Sequence, residues 1–315
     1  MQHSPSASDD KHSESYLTEA REFWWNEDFL KLLSERLNLQ DCHHLADIGC
    51  GEGSISLRLG AYLPEGATLT GVDQERTYVK KARQRAKHNK QLRHIACAFV
   101  QGDANDIPLE TDSQDLTLCQ TLLIHMADPE GVLSEMRRIT RPGGWVVAIE
   151  PNNLVSTLML DRFQETELDI PSMLESLEVR LRMEQGKNNL GEGYSSLGDV
   201  LPDLYQRNGL ENLQVWMSDK AMPLIPPYDN REKRVRAAQL IDWLENGGGG
   251  FNYQRNLRYY KAGGGKKNTF DAYWNRIEGA KYSMLKQLKS QQYFSSGGNM
   301  MYIVAGQVPE EEAGS

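Results

Sequence analysis

The chain of 315 residues predicts an α/β fold, a doubly wound, mostly parallel sheet with helices on both faces. Three observations carry that expectation. An apolar run at residues 45–48 enters a glycine-rich turn, and the turn opens an amphipathic segment over 54–63. Residues 43–150 then alternate short apolar runs with helical periodicity, as parallel strands joined by crossover helices require. Further strand-like runs follow at 210–216 and 299–306.

Taken in order, residues 1–13 are rich in Ser, Asp and His and have little to bury, so a disordered tail is expected there. Over 14–39, Phe23, Trp24, Phe29, Leu32, Leu33 and Leu37 fall at helical spacing. The adjacent Trp24 and Trp25 cannot share one helix face. Core packing accounts for them best; an aromatic lid that includes Tyr16 is the alternative, since ring faces attract cations. The run 68–72 reads as a strand ending at Asp73, and 76–90 as a helix. Its Lys80, Lys81, Arg83, Arg85, Lys87 and Lys90 are spread around the axis, the pattern of a solvated face rather than an RNA-binding stripe.

Strands are expected near 98–101, 115–120 and 145–150. Asp128-Pro129 starts a helix, an N-cap followed by proline at the first helical position. Val132, Leu133, Met136 and Ile139 form its buried side, and Pro142-Gly143-Gly144 is expected to end it. Residues 152–196 read as an insertion with helices over 154–163 and 170–183 and a polar, glycine-bearing stretch over 185–196. A helix over 197–208 leads to the strand at 210–216. Beyond it, helices are expected over 231–246 and 269–291, with glycine clusters at 247–250 and 263–265 as flexible punctuation around 251–261. Residues 310–315 read as a frayed tail.

Bulk properties bound the function. Hydrophobic content of 39% and charged content of 25% are ordinary for a globular protein. A net charge of -9 argues against a nucleic-acid surface spread over the molecule, while leaving room for a local basic patch. No apolar run reaches bilayer length and no signal-like segment opens the chain, so a cytoplasmic protein without membrane partners is expected. The four cysteines, Cys42, Cys50, Cys97 and Cys119, show neither C-x-x-C pairing nor zinc spacing, and fit small buried packers. No H-E-x-x-H or similar spacing suggests a metal site.

The glycine turn itself reads Asp47-Ile48-Gly49-Cys50-Gly51-Glu52-Gly53-Ser54. A dinucleotide fingerprint would need glycine where Ser54 stands; the pattern here is D-x-G-x-G-x-G. With Asp73 after the second strand, Gln101-Gly102-Asp103-Ala104 after the third, 115–125 around the fourth and Arg141-Pro142-Gly143-Gly144 before the fifth, the chain resembles class I methyltransferases dependent on S-adenosylmethionine (SAM). The resemblance covers residues 41–151 and resumes near 197–217 and 299–308. It implies a seven-stranded sheet whose last strand is antiparallel. It also implies a SAM-binding domain over 14–151, 197–217 and 298–309. Residues 152–196 and 218–297 depart from that pattern; they leave from or return near the carboxyl edge of the strands, and are expected to form helical cap insertions over an acceptor pocket.

The same resemblance implies site roles. Asp47 and the loop of Gly49, Cys50, Gly51 and Gly53 would hold the methionine end of SAM. Asp73 would take the ribose hydroxyls with Gln74 beside the adenine, Asp103 and the Ala104 amide would contact the adenine, and Gln120 would border the methionyl part. His125, just past the fourth strand, is the candidate general base, since an ordinary imidazole titrates near neutrality. A histidine that only hydrogen-bonds its loop is the alternative. Trp24, Glu150, Asn152 and Tyr194 are candidates for positioning the acceptor. The expected reaction is transfer of a methyl group to a small molecule, leaving S-adenosylhomocysteine (SAH). RNA or protein acceptors, an NAD(P)-dependent oxidoreductase and a non-catalytic SAM-binding protein are the competing expectations.

Overall fold

The computed structural model describes residues 19–158 and 169–310. The expectations for residues 1–13, for Tyr16, for 159–163 of the expected 154–163 helix and for the tail beyond 310 lie outside the described residues. Seven strands form one sheet: β1 (His44–Ile48), β2 (Thr68–Asp73), β3 (Ala96–Gln101), β4 (Gln114–Gln120), β5 (Thr140–Asn152), β6 (Glu211–Met217) and β7 (Met300–Gln307). Their order is β3-β2-β1-β4-β5-β7-β6. The chain moves outward from β1 to β3 on one side, then crosses back to lay β4 against the other side of β1. β1 to β5 pair in parallel, and β7 runs antiparallel to both of its neighbours. The doubly wound, seven-stranded architecture with an antiparallel last strand is therefore present.

Buried apolar strands explain why the sheet is covered on both faces. Leu45, Ala46, Ile48, Leu69, Val72, Leu118 and Cys119 are at most 1% exposed. Helix α1 (Glu27–Arg36) buries Phe29, Leu30 and Leu33. A short α2 (Ser56–Leu59) follows the glycine loop, α3 (Arg76–His88) buries Val79 and Ala82, and α4 (Pro129–Ile139) buries Val132, Leu133, Met136 and Ile139. Each large aliphatic side chain buried this way contributes on the order of 1.5–3 kcal/mol. The N-cap reading of α4 holds: the Asp128 carboxylate accepts from the Gly131 amide at 2.9 Å.

The remaining helices are α5 (Ile170–Asn189), α6 (Leu201–Arg207), α7 (Arg231–Asn246), α8 (Tyr253–Ala262) and α9 (Lys267–Lys289). The described residues fall into two compact units. One holds the sheet and comprises Trp25–Thr157, Lys187–Lys220 and Asn299 onward; the other draws on Leu158–Gly186, Ala221–Gly298 and the residues up to Trp24. The helical unit has its own apolar clusters. Leu224, Tyr228, Ala237, Leu244, Leu288 and Tyr293 form one; Val179, Leu257, Tyr260, Phe270 and Trp274 form the other.

Several boundaries differ from the sequence expectation. In place of one helix over 14–39, a 3-10 turn (Glu19–Phe23) stops before α1, because Asn26 takes an extended backbone as the N-cap. Trp25 turns into the core and stacks on Phe29 at 5.9 Å, while Trp24 stays half-buried under the Arg21 guanidinium at 4.8 Å. The helix after the glycine loop spans only Ser56–Leu59 before tightening into a 3-10 turn (Gly60–Tyr62). α4 ends at Ile139, and Pro142-Gly143-Gly144 sits inside β5 instead, as a bulge where Gln114 pairs Thr140 and Leu116 pairs Trp145. Proline lacks the ladder donor and Gly143 takes a positive φ of 74°, so a bulge is where both fit. α5 runs on to Asn189, taking in the first part of the stretch expected to be irregular. α8 lies where only glycine punctuation was expected, and its N-cap Asn252 accepts from the Arg255 amide.

Candidate functional site

The strand order reverses between β1 and β4, and ligands of open α/β sheets bind beyond the carboxyl ends of the strands at such a switch point. Asp47 and Ile48 end β1, Asp73 ends β2, Gln101 ends β3 and Gln120 ends β4. The ladders put Asp47 level with Gly71 and Leu118, and Asp73 level with Gln101. The topology thus draws the sequence candidates 47–53, 73–74, 103–104 and 120–125 to one edge of one sheet.

Local chemistry fixes the glycine loop. The Cys50 amide donates to the Val72 carbonyl at 3.0 Å, and the Gly53 amide to the Cys50 carbonyl at 2.8 Å. The Gly51 amide donates to Asp73 Oδ2 at 2.8 Å, while Asp73 Oδ1 accepts from the Glu75 amide at 2.8 Å. Asp73 therefore wires the loop to β2 through Oδ2, while Oδ1 holds the backbone just after β2. Burial pushes its carboxyl above the ordinary aspartate range, and the Glu75 and Gly51 amides pull it back. Gly49 has φ 67°, and a Cβ there would lie 2.7 Å from Leu122 Cδ1. A side chain there would be strained and would displace Leu122, so the loop after β1 and the loop after β4 are in van der Waals register.

A feature absent from the sequence reading is the role of Glu52. Its carboxylate pairs with Lys81 at 2.8 Å and Arg85 at 3.5 Å on α3, and Arg83 donates to the Phe99 carbonyl. Half of the basic residues expected to be solvated on α3 are thus engaged inside this unit. Cys50 is buried, and burial together with Asp47 and Asp73 raises its thiol far above the ordinary range. Cys119 is raised likewise, by burial first and by Glu150 and Asp47 second. Cys42 is pushed up to about 12. These thiols are inert packers.

Asp47 is 1% exposed at the end of β1. Asp103 is exposed, and its Oδ1 accepts from the amide and the side-chain nitrogen of Asn105, an aspartate turn that fixes the Ala104 amide between them. Ala104 packs against the main apolar cluster. Gln74 is exposed, and its carbonyl accepts from Gln101 Nε2 at 2.9 Å. Gln120 is 5% exposed, and its Nε2 has no hydrogen-bond partner among the described residues. An orphaned donor at that edge, a positive-φ loop closed to Cβ atoms, and Asp73 with lone pairs to spare together fit a ligand with a hydroxylated sugar and a polar, charged arm.

The turn after β4 carries the catalytic candidate. Thr121 takes a φ of 52°, its amide donating to the Ile149 carbonyl, and a 3-10 turn (Leu123–His125) leaves His125 exposed. Glu150, a candidate for positioning an acceptor, is 0% exposed; its Oε1 accepts from the Leu122 amide at 2.9 Å and the Leu123 amide at 2.7 Å. Burial pushes this carboxyl up to about 8, against the amides of residues 122–124 and the charge of Lys187. Asn152 caps the following turn through its Oδ1, accepting from the Leu154 and Val155 amides. Tyr194 is half-buried in the same unit, whereas Trp24 belongs to the helical unit. Among the described residues no cluster of three or more His, Cys, Asp or Glu could hold a metal ion, and no helix is long and apolar enough to cross a membrane.

Comparison with known proteins agrees with this geometry. Residues 46–148 match the family described as "Methyltransferase domain". An uncharacterized methyltransferase of Schizosaccharomyces pombe is 29% identical over 131 residues, 41% of this chain and 46% of that protein. A demethylmenaquinone methyltransferase of Oceanobacillus iheyensis is 32% identical over 126 residues, 40% of this chain and 50% of that protein. The chain thus spans half or less of the length of these relatives. A solved SAM-dependent methyltransferase of Methanosarcina mazei is 14% identical, with a TM-score of 0.47 over 89% of this chain and 98% of that one. The match to a methyltransferase domain falls on the stretch whose motifs carry that resemblance.

Proposed function

We propose that this protein transfers a methyl group from SAM to a small-molecule acceptor, releasing SAH. The observation that carries the reading is the Asp73 carboxylate bound to the Gly51 amide at 2.8 Å, which ties the ribose-binding and methionine-binding elements into one preformed unit. SAM supplies an electrophilic methyl on a sulfonium, so alignment and exclusion of water provide much of the rate. Asp47 takes the methionine ammonium, and the Gly49, Cys50, Gly51 and Gly53 backbone shapes the space around it. Asp73 takes the ribose hydroxyls. Gln74, Asp103 and the Ala104 amide surround the adenine, and Gln120 faces the methionyl arm.

His125 is assigned as the base that accepts a proton from a hydroxyl, an acidic carbon or a protonated amine. Its exposure at the end of a tight turn leaves the ring within reach of solvent and substrate. Trp24, Asn152 and Tyr194 are assigned to the acceptor. Acceptor choice is assigned to the helical insertions 152–196 and 218–297, which the methyltransferase-domain match leaves uncovered. The Oceanobacillus relative and a ubiquinone biosynthesis O-methyltransferase of Chromobacterium violaceum support a small molecule over a macromolecule, and the net charge of -9 points the same way. The test is twofold. Calorimetry should detect SAM and SAH but not NAD, and tritiated-methyl transfer should label a metabolite fraction rather than RNA or protein. Label in the macromolecular fractions alone would overturn the acceptor class; NAD binding would overturn the enzyme class.

A further inference from the structure

The turn after β4 is gripped from both sides by buried polar side chains, a carboxyl and an ammonium. On its amide side, Glu150 Oε1 accepts from Leu122 and Leu123. On its carbonyl side, Lys187 Nζ donates to the Ile124 carbonyl at 2.7 Å and to Ser195 Oγ at 2.9 Å. Lys187 is only 4% exposed, and it is the residue at which α5 enters the sheet unit. The segment after it lies directly on the turn: a Cβ at Gly193, where φ is 85°, would fall 2.5 Å from the Ile124 carbonyl oxygen. Asn153 Nδ2 donates to the Ser195 carbonyl, and the Leu154 amide to Ser196 Oγ, which closes the segment onto the end of β5.

Burying an ammonium and a carboxyl costs several kcal/mol each, and apolar replacements of such pairs are often as stable or more so. Stability alone therefore does not account for charges placed here. Both groups act on one six-residue stretch of backbone, and that stretch links three site elements. It begins at Gln120, ends at His125, and presses Leu122 against Gly49.

We infer that Glu150 and Lys187 are paired positioning residues, Glu150 holding the amides and Lys187 the carbonyl of the turn that sets Gln120, Leu122 and His125 against the donor loop. The inference rests on the SAM reading above and moves Glu150 from touching the acceptor to fixing the site beneath it. The titratable groups facing Glu150 are Lys187 from α5, Cys119 from β4 and Tyr205 from α6, with Tyr302 of β7 as its ladder partner. The two neighbouring thiol and phenol groups are raised far above neutrality by burial, which leaves the Glu150 carboxyl, pushed up to about 8, as the group here that responds to pH.

The test uses the full chain labelled with 15N-leucine, as wild type, Glu150→Gln, Lys187→Met and Lys187→Arg, with SAH as the ligand. In wild type the Leu122 and Leu123 amide resonances should titrate with a midpoint of about 8. That titration should vanish in Glu150→Gln and move to higher pH in Lys187→Met, where the attracting charge is gone. Glu150→Gln and Lys187→Met should weaken SAH binding by about tenfold, and Lys187→Arg should recover most of it, since it keeps the charge. Leu122 and Leu123 amides that exchange with solvent as fast as unbonded ones in wild type would overturn the inference even if every variant failed to fold. The two readings fail separately. Wild type that binds no SAH overturns the donor reading, whereas wild type that binds SAH no better than folded Lys187→Met and Glu150→Gln overturns the pair.

Discussion

Asp73 shows how one residue can be legible in a sequence and still do more than the sequence says. Its place after an apolar run marks it as a ribose ligand, yet both oxygens already accept backbone amides, from Gly51 and Glu75. Asp73→Ala therefore removes the proposed ribose contact and releases the glycine loop. A hydrogen bond to a charged group is worth roughly 1.5–3 kcal/mol, so SAM affinity measured by calorimetry should fall about tenfold to a hundredfold. An unchanged affinity would remove Asp73 from the site. Glu150 is the opposite case: its residue type suggested substrate, and only burial reveals a backbone clamp. Its carboxyl rises from 4.5 to about 8 on folding, so the folded state holds a proton that the unfolded state has already lost. The contribution is full below the unfolded value and declines as pH rises toward the folded one. The stability of wild type relative to Glu150→Gln should thus fall between pH 4.5 and 8 in denaturant titrations, and a gap that does not change with pH would show the carboxyl to be ionised throughout.

At the scale of elements, the sequence spoke clearly wherever caps and glycines coincided with periodicity. α7 spans the predicted residues because Asn230 caps its start and Gly247, at φ 73°, ends it. α8 was missed because its ten residues hold four buried positions among polar and aromatic ones, too short a span for the period to stand out beside flanking glycines. α4 could be read at its start from Asp128-Pro129, but not at its end, where Pro142-Gly143-Gly144 suggested a terminator and the structure uses a bulge. Glu52, Lys187 and Ser195 could not be read at all, since a lone charged or polar residue on a loop or at a helix end looks solvated until its partner is known. The cap itself is testable. Asp128→Ala removes the acceptor of the Gly131 amide and should cost about 1 kcal/mol, seen as a lower denaturant midpoint at unchanged slope. A midpoint equal to wild type would mean that solvent replaces the cap without loss.

For the molecule as a whole, the informative fact is that one sheet unit contains Asp47, the glycine loop, Asp73, Asp103, Gln120 and His125. Sequence order alone foretold this, because strands that leave β1 in both directions must leave their carboxyl ends on a shared edge. A site formed by the native edge cannot exist in the unfolded chain, where those residues lie up to 78 positions apart in sequence (47 to 125). Ligand binding must then stabilise the fold by mass action, by about 2.7 kcal/mol at a hundredfold excess over Kd. For a unit of this size that corresponds to a rise in Tm of roughly 5–10 °C. SAH should produce the rise and NAD should not, and Asp73→Ala should need about ten to a hundred times more SAH to reach it, matching its loss of affinity. The same experiment separates a ligand held by the preformed edge from one bound elsewhere. An undiminished Tm rise in Asp73→Ala at wild-type concentrations of SAH would place the binding away from β2, and with it the whole assignment of this edge to the methyl donor.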